Sequence, residues 1–588
     1  MSSASVPPPF VKTPRPKTIL VIGGGVAGLA ALRALVEEGG TTPDGPFDRV
    51  ELIERRDNIG GVWYLNEEVV KQEKSYPGGT ASHQWPITSL TNGNGASHVN
   101  GSTSNHIKED GNSNGIKTSR PLWPSPAYPA LRGNVLPRFL SLGGAPPFPA
   151  PSDPNDAFPS LSETQDYLEG IAKPLRNHIR CNIECLDVRE LPGRQPDQNR
   201  WAVRVRNWNK TGGPYRTEYY DAVISSIGWT DRPLFPRLPG LEEAKAAGLI
   251  DHCKWYRGPE VYGQNSRIMI VGNGNSGNDV AAQLAAFRIE GENPPIYRVA
   301  RHKAWYFYVS LPDPRIKDVP PIQSFTLSAD RSKVNVKLED GSVIAHIDRV
   351  IFASGYVIGS FPHTHLLTRQ PFKEEIGQLP NVDQEDGDWQ VSSSTNSNLW
   401  SPLSSAPAGT RFNATDNPER VPNLYWQIIH SRASTLAFCN LPVTSIPFWA
   451  SDLQSHVIRS IWDGSFASFP NDLEQRCDYE RKRIQFLSEY KQQEPERIKV
   501  AQEQHAREQE KNKDIYIPPE HTGGPPYHVL GTIVDDYGPP LRSMLISSRP
   551  EWETKLPDWS KHTEERNAMY DLKRSILEKR RKMGLQLV

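Results

Sequence analysis

The chain reads as an α/β protein that carries one nucleotide-binding unit twice, and three observations support this. The short apolar run Thr18–Ile22 leads into Gly23-Gly24-Gly25-Val26-Ala27-Gly28 and then an Ala/Leu-rich stretch to about Glu38. The same pattern returns later, with Arg267–Val271, then Gly272-Asn273-Gly274-Asn275-Ser276-Gly277, then an Ala-rich stretch to about Phe287. The strands that follow end on opposite charges, Glu54 after the first unit and Arg301 after the second.

Strand, G-x-G-x-x-G, helix is the dinucleotide-binding (Rossmann-like) fingerprint in its structural context. Gly23 permits the tight turn, Gly25 lets the backbone approach a pyrophosphate, and Gly28 lets helix and strand pack closely. Val26 and Ala27 open a helix whose free N–H groups and positive dipole end face the phosphates. In the second unit Gly272, Gly274, Asn275, Ser276 and Gly277 take the same places. Glu54 ends the strand Arg49–Glu54, with Arg55 beside it, and is placed to accept hydrogen bonds from a ribose. Arg301, with Lys303 two residues on, suits a 2′-phosphate instead. Two units with opposite terminal charges imply two different dinucleotides, a pattern that fits FAD plus NADPH.

Size and composition bound the rest. A chain of 588 residues exceeds one core. A net charge of -1 argues against a nucleic-acid partner or an acidic membrane surface held by bulk charge. Five cysteines without a metal-ligand spacing point to a reducing compartment and to no metal site. Residues 1–16 lack the apolar core of a signal peptide, and no apolar run is long enough to span a membrane, so a cytoplasmic location with no transmembrane anchor is expected. The Asn/Gly/Ser-rich stretch at about 89–120 is expected to be a disordered insert. Leu161–Lys173 reads as a helix capped by Ser160 or Ser162 and stopped by Pro174. Cys181–Leu191, Trp201–Trp208 and Thr217–Ile227 read as strands. Cys181 and Cys185, too far apart on one strand to bridge, read as structural thiols. Asp340-Gly341 marks a hairpin.

The expected organisation follows. Residues 1–16 form a disordered N-terminus, 17–235 the first part of an FAD-binding domain, and 236–261 a linker. Residues 262–357 form an NADPH-binding domain inserted into the FAD domain, and 358–470 complete the latter. Residues 471–588 form a mainly helical and loop C-terminal extension, in which Thr563–Lys582 reads as a solvated basic helix.

Further motifs resemble the flavin-containing monooxygenase family in its fungal branch. Gly60-Gly61-Val62-Trp63 is similar to the flavin-contacting Gly-Gly-x-Trp of that family. Leu238-Pro239-Gly240 with His252, Tyr256 and Arg257 resembles its identifying motif, F-x-G-x-x-x-H-x-x-x-(Y/F)-K, with Leu for Phe, Arg for Lys and a longer Gly-to-His spacing. Ala353-Ser354-Gly355-Tyr356 is similar to its interdomain linker. Tyr128–Asn134 resembles the segment carrying its active-site Asn. Ile446-Pro447-Phe448 through Gln454 resembles its late flavin-side segment.

The resemblance implies FAD held by Gly23, Gly25, Val26, Ala27, Gly28, Glu54, Arg55, Gly61, Val62, Trp63 and Gln454. It implies NADPH on Gly272, Gly274, Asn275, Ser276, Gly277, Arg301 and Lys303, O2 as co-substrate, and Asn134 as the catalytic residue. The implied reaction, like that of an N,N-dimethylaniline monooxygenase, oxygenates a soft N or S nucleophile of a small molecule through a C4a-(hydro)peroxyflavin. Two alternatives stay open: a Baeyer–Villiger monooxygenase acting on a ketone, and a catalytically silent dinucleotide-fold binding protein.

Overall fold

The computed structural model describes residues 15–37, 39–66, 123–191, 200–210, 213–231, 233–305, 307–356, 364–367, 400–402, 421, 423–512, 515–522, 527–530 and 536–585. The expectations for residues 1–14 and for the insert at about 89–120 fall outside them.

Two sheets form the framework, the first mostly parallel and the second wholly so. In the first, the strands lie in the order Leu424–Tyr425, Ile429–His430, Leu436–Phe438, Ala222–Ser225, Thr18–Ile22, Arg49–Glu54 and Ile179–Cys181. From Leu436–Phe438 onward every pairing is parallel. Alternate side chains of a strand point to opposite faces, and Thr18–Ile22 uses both. Ile19 and Val21 enter a core shared with the helices Val26–Val36 and Pro447–Asp463. Leu20 and Ile22 enter a second core, against the antiparallel strands Ile183–Leu191, Arg200–Asn207 and Tyr215–Tyr220. A strand covered on both faces must be apolar throughout, as this one is.

The second sheet is wholly parallel, in the order Ile316–Val319, Ile296–Val299, Ile268–Val271, Arg349–Phe352, Ile250–His252. Ile268 and Ile270 pack on the helix Asn275–Ala286, while Met269 faces the antiparallel strands Ile322–Leu327, Val334–Leu338 and Val343–Ile347. The last two flank Asp340-Gly341. The stretch 236–261, expected as a linker, carries the edge strand Ile250–His252 and puts Leu241, Ala244 and Leu249 into the core that Met269 enters. Apolar residues at these positions find more burial against the second sheet than a linker would offer.

The chain crosses between the two units twice, side by side. Leu234 N–H donates to the Gly355 carbonyl at 3.0 Å, and Ser354 Oγ donates to the Leu234 carbonyl. The helix Leu161–Ala172 starts in a capping box: Ser160 Oγ accepts from Glu163 N–H at 3.2 Å, and the Glu163 carboxylate accepts from Ser160 N–H at 2.7 Å. The run expected as one strand from Cys181 breaks at Asn182, whose φ is +61°. Cys181 therefore ends a strand of the first sheet and Cys185 lies in the antiparallel strand Ile183–Leu191, both as free thiols.

The extension is helical over Asp478–Gln492, Glu494–Lys511, Gly538–Ser548 and Thr563–Lys582. Gly538–Ser548 packs on Pro447–Asp463, which explains why every residue from Phe448 to Trp462 is buried. Among the described residues no helix is long and apolar enough to cross a membrane, and no group of three or more His, Cys, Asp or Glu side chains could hold a metal ion.

Candidate active site

The two glycine turns occupy equivalent places, each at the carboxyl end of a parallel strand, where open α/β sheets bind ligands. Their outer glycines are required by the fold. A Cβ on Gly23 (φ +105°) would lie 2.7 Å from the Ser226 carbonyl oxygen, and one on Gly28 would lie 1.8 Å from that of Gly23. Gly272 (φ +117°) and Gly277 repeat this, at 2.7 Å from Ala353 O and 2.1 Å from Gly272 O.

The middle glycines differ. A Cβ on Gly25 would meet nothing nearer than 3.5 Å, and one on Gly274 nothing nearer than 3.8 Å. Nothing in the described chain forbids a side chain there, so the bare backbone faces space left for something else. Each of these glycines is also the N-cap of its helix, with no side-chain cap and no acidic residue in the first turn. Uncapped N–H groups under a positive helix end suit a pyrophosphate.

Around the first turn the sequence-derived residues converge. Glu54 Oε2 accepts from Gly24 N–H at 2.7 Å, and Oε1 accepts from Arg56 N–H at 2.9 Å, which fixes the carboxylate beside the glycine turn. Gly61-Val62-Trp63 forms a short 3₁₀ turn packed on that turn. A Cβ on Gly61 (φ +57°) would come within 2.8 Å of Gly25 Cα. The Val62 carbonyl accepts from Ser125 Oγ at 2.6 Å, which ties this turn to the loop that leads to Asn134.

Sequence reasoning missed two polar atoms at this end of the sheet, on Ser225 and Asn440, and a third on Thr444, four residues further along the chain. Ser225 Oγ, Asn440 Oδ1 and Thr444 Oγ1 are buried without a hydrogen-bond partner. Ser225 ends the strand beside that of Gly23, and Asn440 follows the next strand over. Buried polar groups lacking partners cost free energy unless a ligand satisfies them. Together with the open cradle at Gly25, they fit a dinucleotide such as FAD. No local motif marks these residues; the topology brings Ser225 and Asn440 together.

Two expected cofactor contacts are otherwise engaged. Gln454 is fully buried, with Oε1 accepting from Asn440 N–H at 2.6 Å and Nε2 donating to Tyr537 Oη at 2.8 Å. Both ends of its amide are bonded within the protein, and it braces the Asn440 loop. Arg55 pairs with Asp231 through Nη2–Oδ1 (2.5 Å) and Nη1–Oδ2 (3.3 Å). It therefore joins the first sheet's edge to the interdomain crossing.

At the second turn, Arg301 is exposed just beyond the strand Ile296–Val299. Lys303 is held by Glu508 and Glu520 of the extension, each at 2.8 Å, and these two carboxylates hold its ammonium above the ordinary lysine range. Arg298 lies on the same strand. It forms a two-pronged ion pair with Asp318 at 2.6 and 2.9 Å and donates to Asn278 Oδ1 at 2.9 Å.

The motif around His252 ties the Asn134 loop to the second unit. Arg257 is buried and donates to the carbonyls of Ser125 and Ala127 at 3.0 and 3.1 Å. Tyr128 Oη donates to Asp279 Oδ2 at 2.6 Å, and burial beside that carboxylate raises the phenol's pKa. His252 Nδ1 accepts from Lys254 N–H at 3.1 Å, so its proton sits on Nε2, which donates to the Gly355 carbonyl at 3.1 Å. Burial pushes the imidazole's pKa down to about 3. Asn134 follows on this loop, half-buried, and its side chain bonds to no described residue. Beside it a small surface cleft is lined by Arg132, Gly133, Asp156, Asp279 and Lys573, the last from the C-terminal helix.

Two glycine cradles on two parallel sheets define an α/β protein with two dinucleotide-binding domains. Residues 144–289 match the flavin-binding monooxygenase-like family, and residues 21–99 match an NAD(P)-binding Rossmann-like domain. The flavin-containing monooxygenase FMO GS-OX2 of Arabidopsis thaliana is 25% identical over 346 residues, 58% of this chain and 59% of that protein. The flavin-containing monooxygenase ustF2 of Aspergillus flavus is 22% identical over 503 residues, 80% of this chain and 86% of that protein. Against the Arabidopsis relatives FMO GS-OX2, GS-OX-like 9 and GS-OX4, the chain spans 59%, 48% and 59% of their length. S-allyl-L-cysteine S-oxygenase from Allium sativum shares the fold with a TM-score of 0.53 at 18% identity, over 96% of this chain and 93% of that one. The chain is thus similar in sequence, over parts of its length, to flavin-containing monooxygenases, and it has the fold of one of them.

Proposed function

We propose that this protein is an FAD- and NADPH-dependent monooxygenase that oxygenates a soft nitrogen or sulfur atom of a small molecule. The observation that carries this is the pair of uncapped, open glycine cradles on separate sheets, with one loop anchored to both. FAD and NADPH, when bound, supply the reducing electrons and the activation of O2. The protein's own residues bind, orient and exclude water.

In this reading Gly25, Val26, Ala27 and Gly28 hold the flavin pyrophosphate, and Glu54 holds its ribose. Ser225, Asn440 and Thr444 offer further polar contacts. Gly274, Asn275, Ser276 and Gly277 hold the second pyrophosphate, and Arg301 reads the 2′-phosphate. Asn134, a neutral amide with one acceptor and two donors, bridges the two cofactors without bringing a charge into a dry site. Arg257 and Tyr128 hold the loop that aims it. The match along most of the Aspergillus relative supports a place in the fungal branch of the family, and a cytoplasmic location fits the five free thiols.

The test is to purify the protein with its flavin and add NADPH without oxygen, then admit air with thioethers, tertiary amines and ketones in turn. Bleaching of the flavin band followed by sulfoxide or N-oxide formation is expected. Ester formation from ketones alone would favour Baeyer–Villiger chemistry. A flavin that NADPH never bleaches would leave only a binding protein.

A further inference from the structure

The C-terminal extension reaches over the end of the strand that the proposed function assigns to 2′-phosphate recognition. The helix Glu494–Lys511 and the segment 515–522 that folds back along it form one unit. Gln509 donates to the Ile515 carbonyl at 2.7 Å and accepts from Ile517 N–H at 3.0 Å. The His505 ring bonds to the Ile517 carbonyl at 2.7 Å, and Arg497 donates to the Thr522 carbonyl at 3.2 Å.

This unit meets the second nucleotide domain through polar groups. Lys303 N–H donates to the Pro519 carbonyl at 2.7 Å, and Tyr516 Oη donates to the Ala300 carbonyl at 2.9 Å. The His521 ring stands 5.0 Å from that of His302 and 5.4 Å from that of Trp305. Glu508 and Glu520 both pair with the Lys303 ammonium at 2.8 Å. Of the helix Glu494–Lys511 only Ala501 is buried. A contact made of exposed ion pairs and few apolar groups opens at low cost.

Two carboxylates on one ammonium do what a phosphate dianion would do there. We propose that Glu508 and Glu520 are nucleotide-specificity residues: they compete with an adenosine 2′-phosphate for Lys303, so the extension lowers the chain's affinity for 2′-phosphorylated nucleotides and leaves that for their unphosphorylated counterparts alone. This rests on the reading of Arg301 and Lys303 as the 2′-phosphate site. Because linkage is reciprocal, a bound 2′-phosphate displaces segment 515–522 by the same factor.

The test uses flavin-loaded, full-length protein and calorimetric titration with 2′,5′-ADP and with 5′-AMP. Glu508→Gln with Glu520→Gln should tighten 2′,5′-ADP about three- to tenfold, the range of two exposed pairs, and leave 5′-AMP unchanged. Tyr516→Phe, which keeps every charge but removes a docking bond, should tighten 2′,5′-ADP in the same direction. Glu503→Gln with Glu510→Gln, an equal charge change on the same helix, should have no effect. An unchanged 2′,5′-ADP affinity in E508Q/E520Q, equal tightening of 5′-AMP, or an equal effect from E503Q/E510Q would overturn the proposal. The underlying phosphate reading fails separately: if Arg301→Ala with Lys303→Met leaves 2′,5′-ADP binding unchanged, no 2′-phosphate is read there and the competition falls with it.

Discussion

Asn134 shows how little a single residue reveals before its surroundings are known. Its amide, half-buried and unengaged by described neighbours, hangs on a loop held at Ser125, Ala127 and Tyr128. Asn134→Ala leaves both proposed cofactor partners without their bridge but does not touch the glycine cradles. NADPH should still be consumed, while the ratio of oxygenated product to NADPH falls and hydrogen peroxide appears in its place. Product and peroxide assayed together check this. Unchanged coupling in a folded, flavin-loaded variant would remove Asn134 from the mechanism.

At this scale the sequence was legible where contacts are local and opaque where they are not. Glu54 could be read because its partner Gly24 lies in the neighbouring turn of a known motif. Lys303 reads as an NADPH contact, and nothing local shows that Glu508, 205 residues away, pairs with it. Gln454 reads as a flavin contact, and nothing local shows that its amide also bonds Tyr537, 83 residues on and in the extension. Segments with no recognisable pattern of their own supplied both partners.

Among the elements, the glycine turns, the helices after them and the capped helix Leu161–Ala172 follow from short-range rules, and their positions agree with the sequence. Within 236–261 the strand Ile250-Asp251-His252 has no such local signal, because it forms only beside Arg349–Phe352, a hundred residues away. Within that stretch Arg257 is the tie that holds the Asn134 loop. It is buried and donates to four carbonyls, those of Ser125, Ala127, Lys254 and Tyr256. Hydrogen bonds from a charged donor are worth about 1.5–3 kcal/mol each and are not additive. Arg257→Met should therefore destabilise the protein by at least about 2 kcal/mol in denaturant titration. Arg257→Lys should recover only part of this, since an ammonium lacks the planar fork. Full recovery by Lys would mean that charge rather than geometry holds the loop.

For the whole molecule, the joint between the two nucleotide domains carries a pH dependence. His252 sits at the crossing, fully buried among the Phe235, Trp255 and Tyr356 rings, with Cys253 and the Lys254 ammonium as neighbours. Its folded pKa, lowered by burial to about 3, lies below the ordinary imidazole value of 6.5. Between these values the unfolded chain binds the proton and the native protein does not, so stability falls as pH drops below about 6.5. From pH 8 to pH 5 this one group should remove roughly 2 kcal/mol. His252→Gln, which keeps a donor for Gly355, should lose less stability over that interval. Parallel pH profiles for the two proteins would show that His252 does not report on the joint.

The central claim is that two dinucleotide sites in one chain cooperate to place an oxygen atom on a small molecule. Isotopically heavy dioxygen tests it most directly. Flavin-loaded protein is given NADPH, a thioether or tertiary amine, and the labelled gas, and the product is weighed by mass spectrometry. The account predicts one heavy oxygen atom in the product for each NADPH oxidised. Unlabelled product, or NADPH oxidation that yields only hydrogen peroxide across the substrate panel, would contradict it.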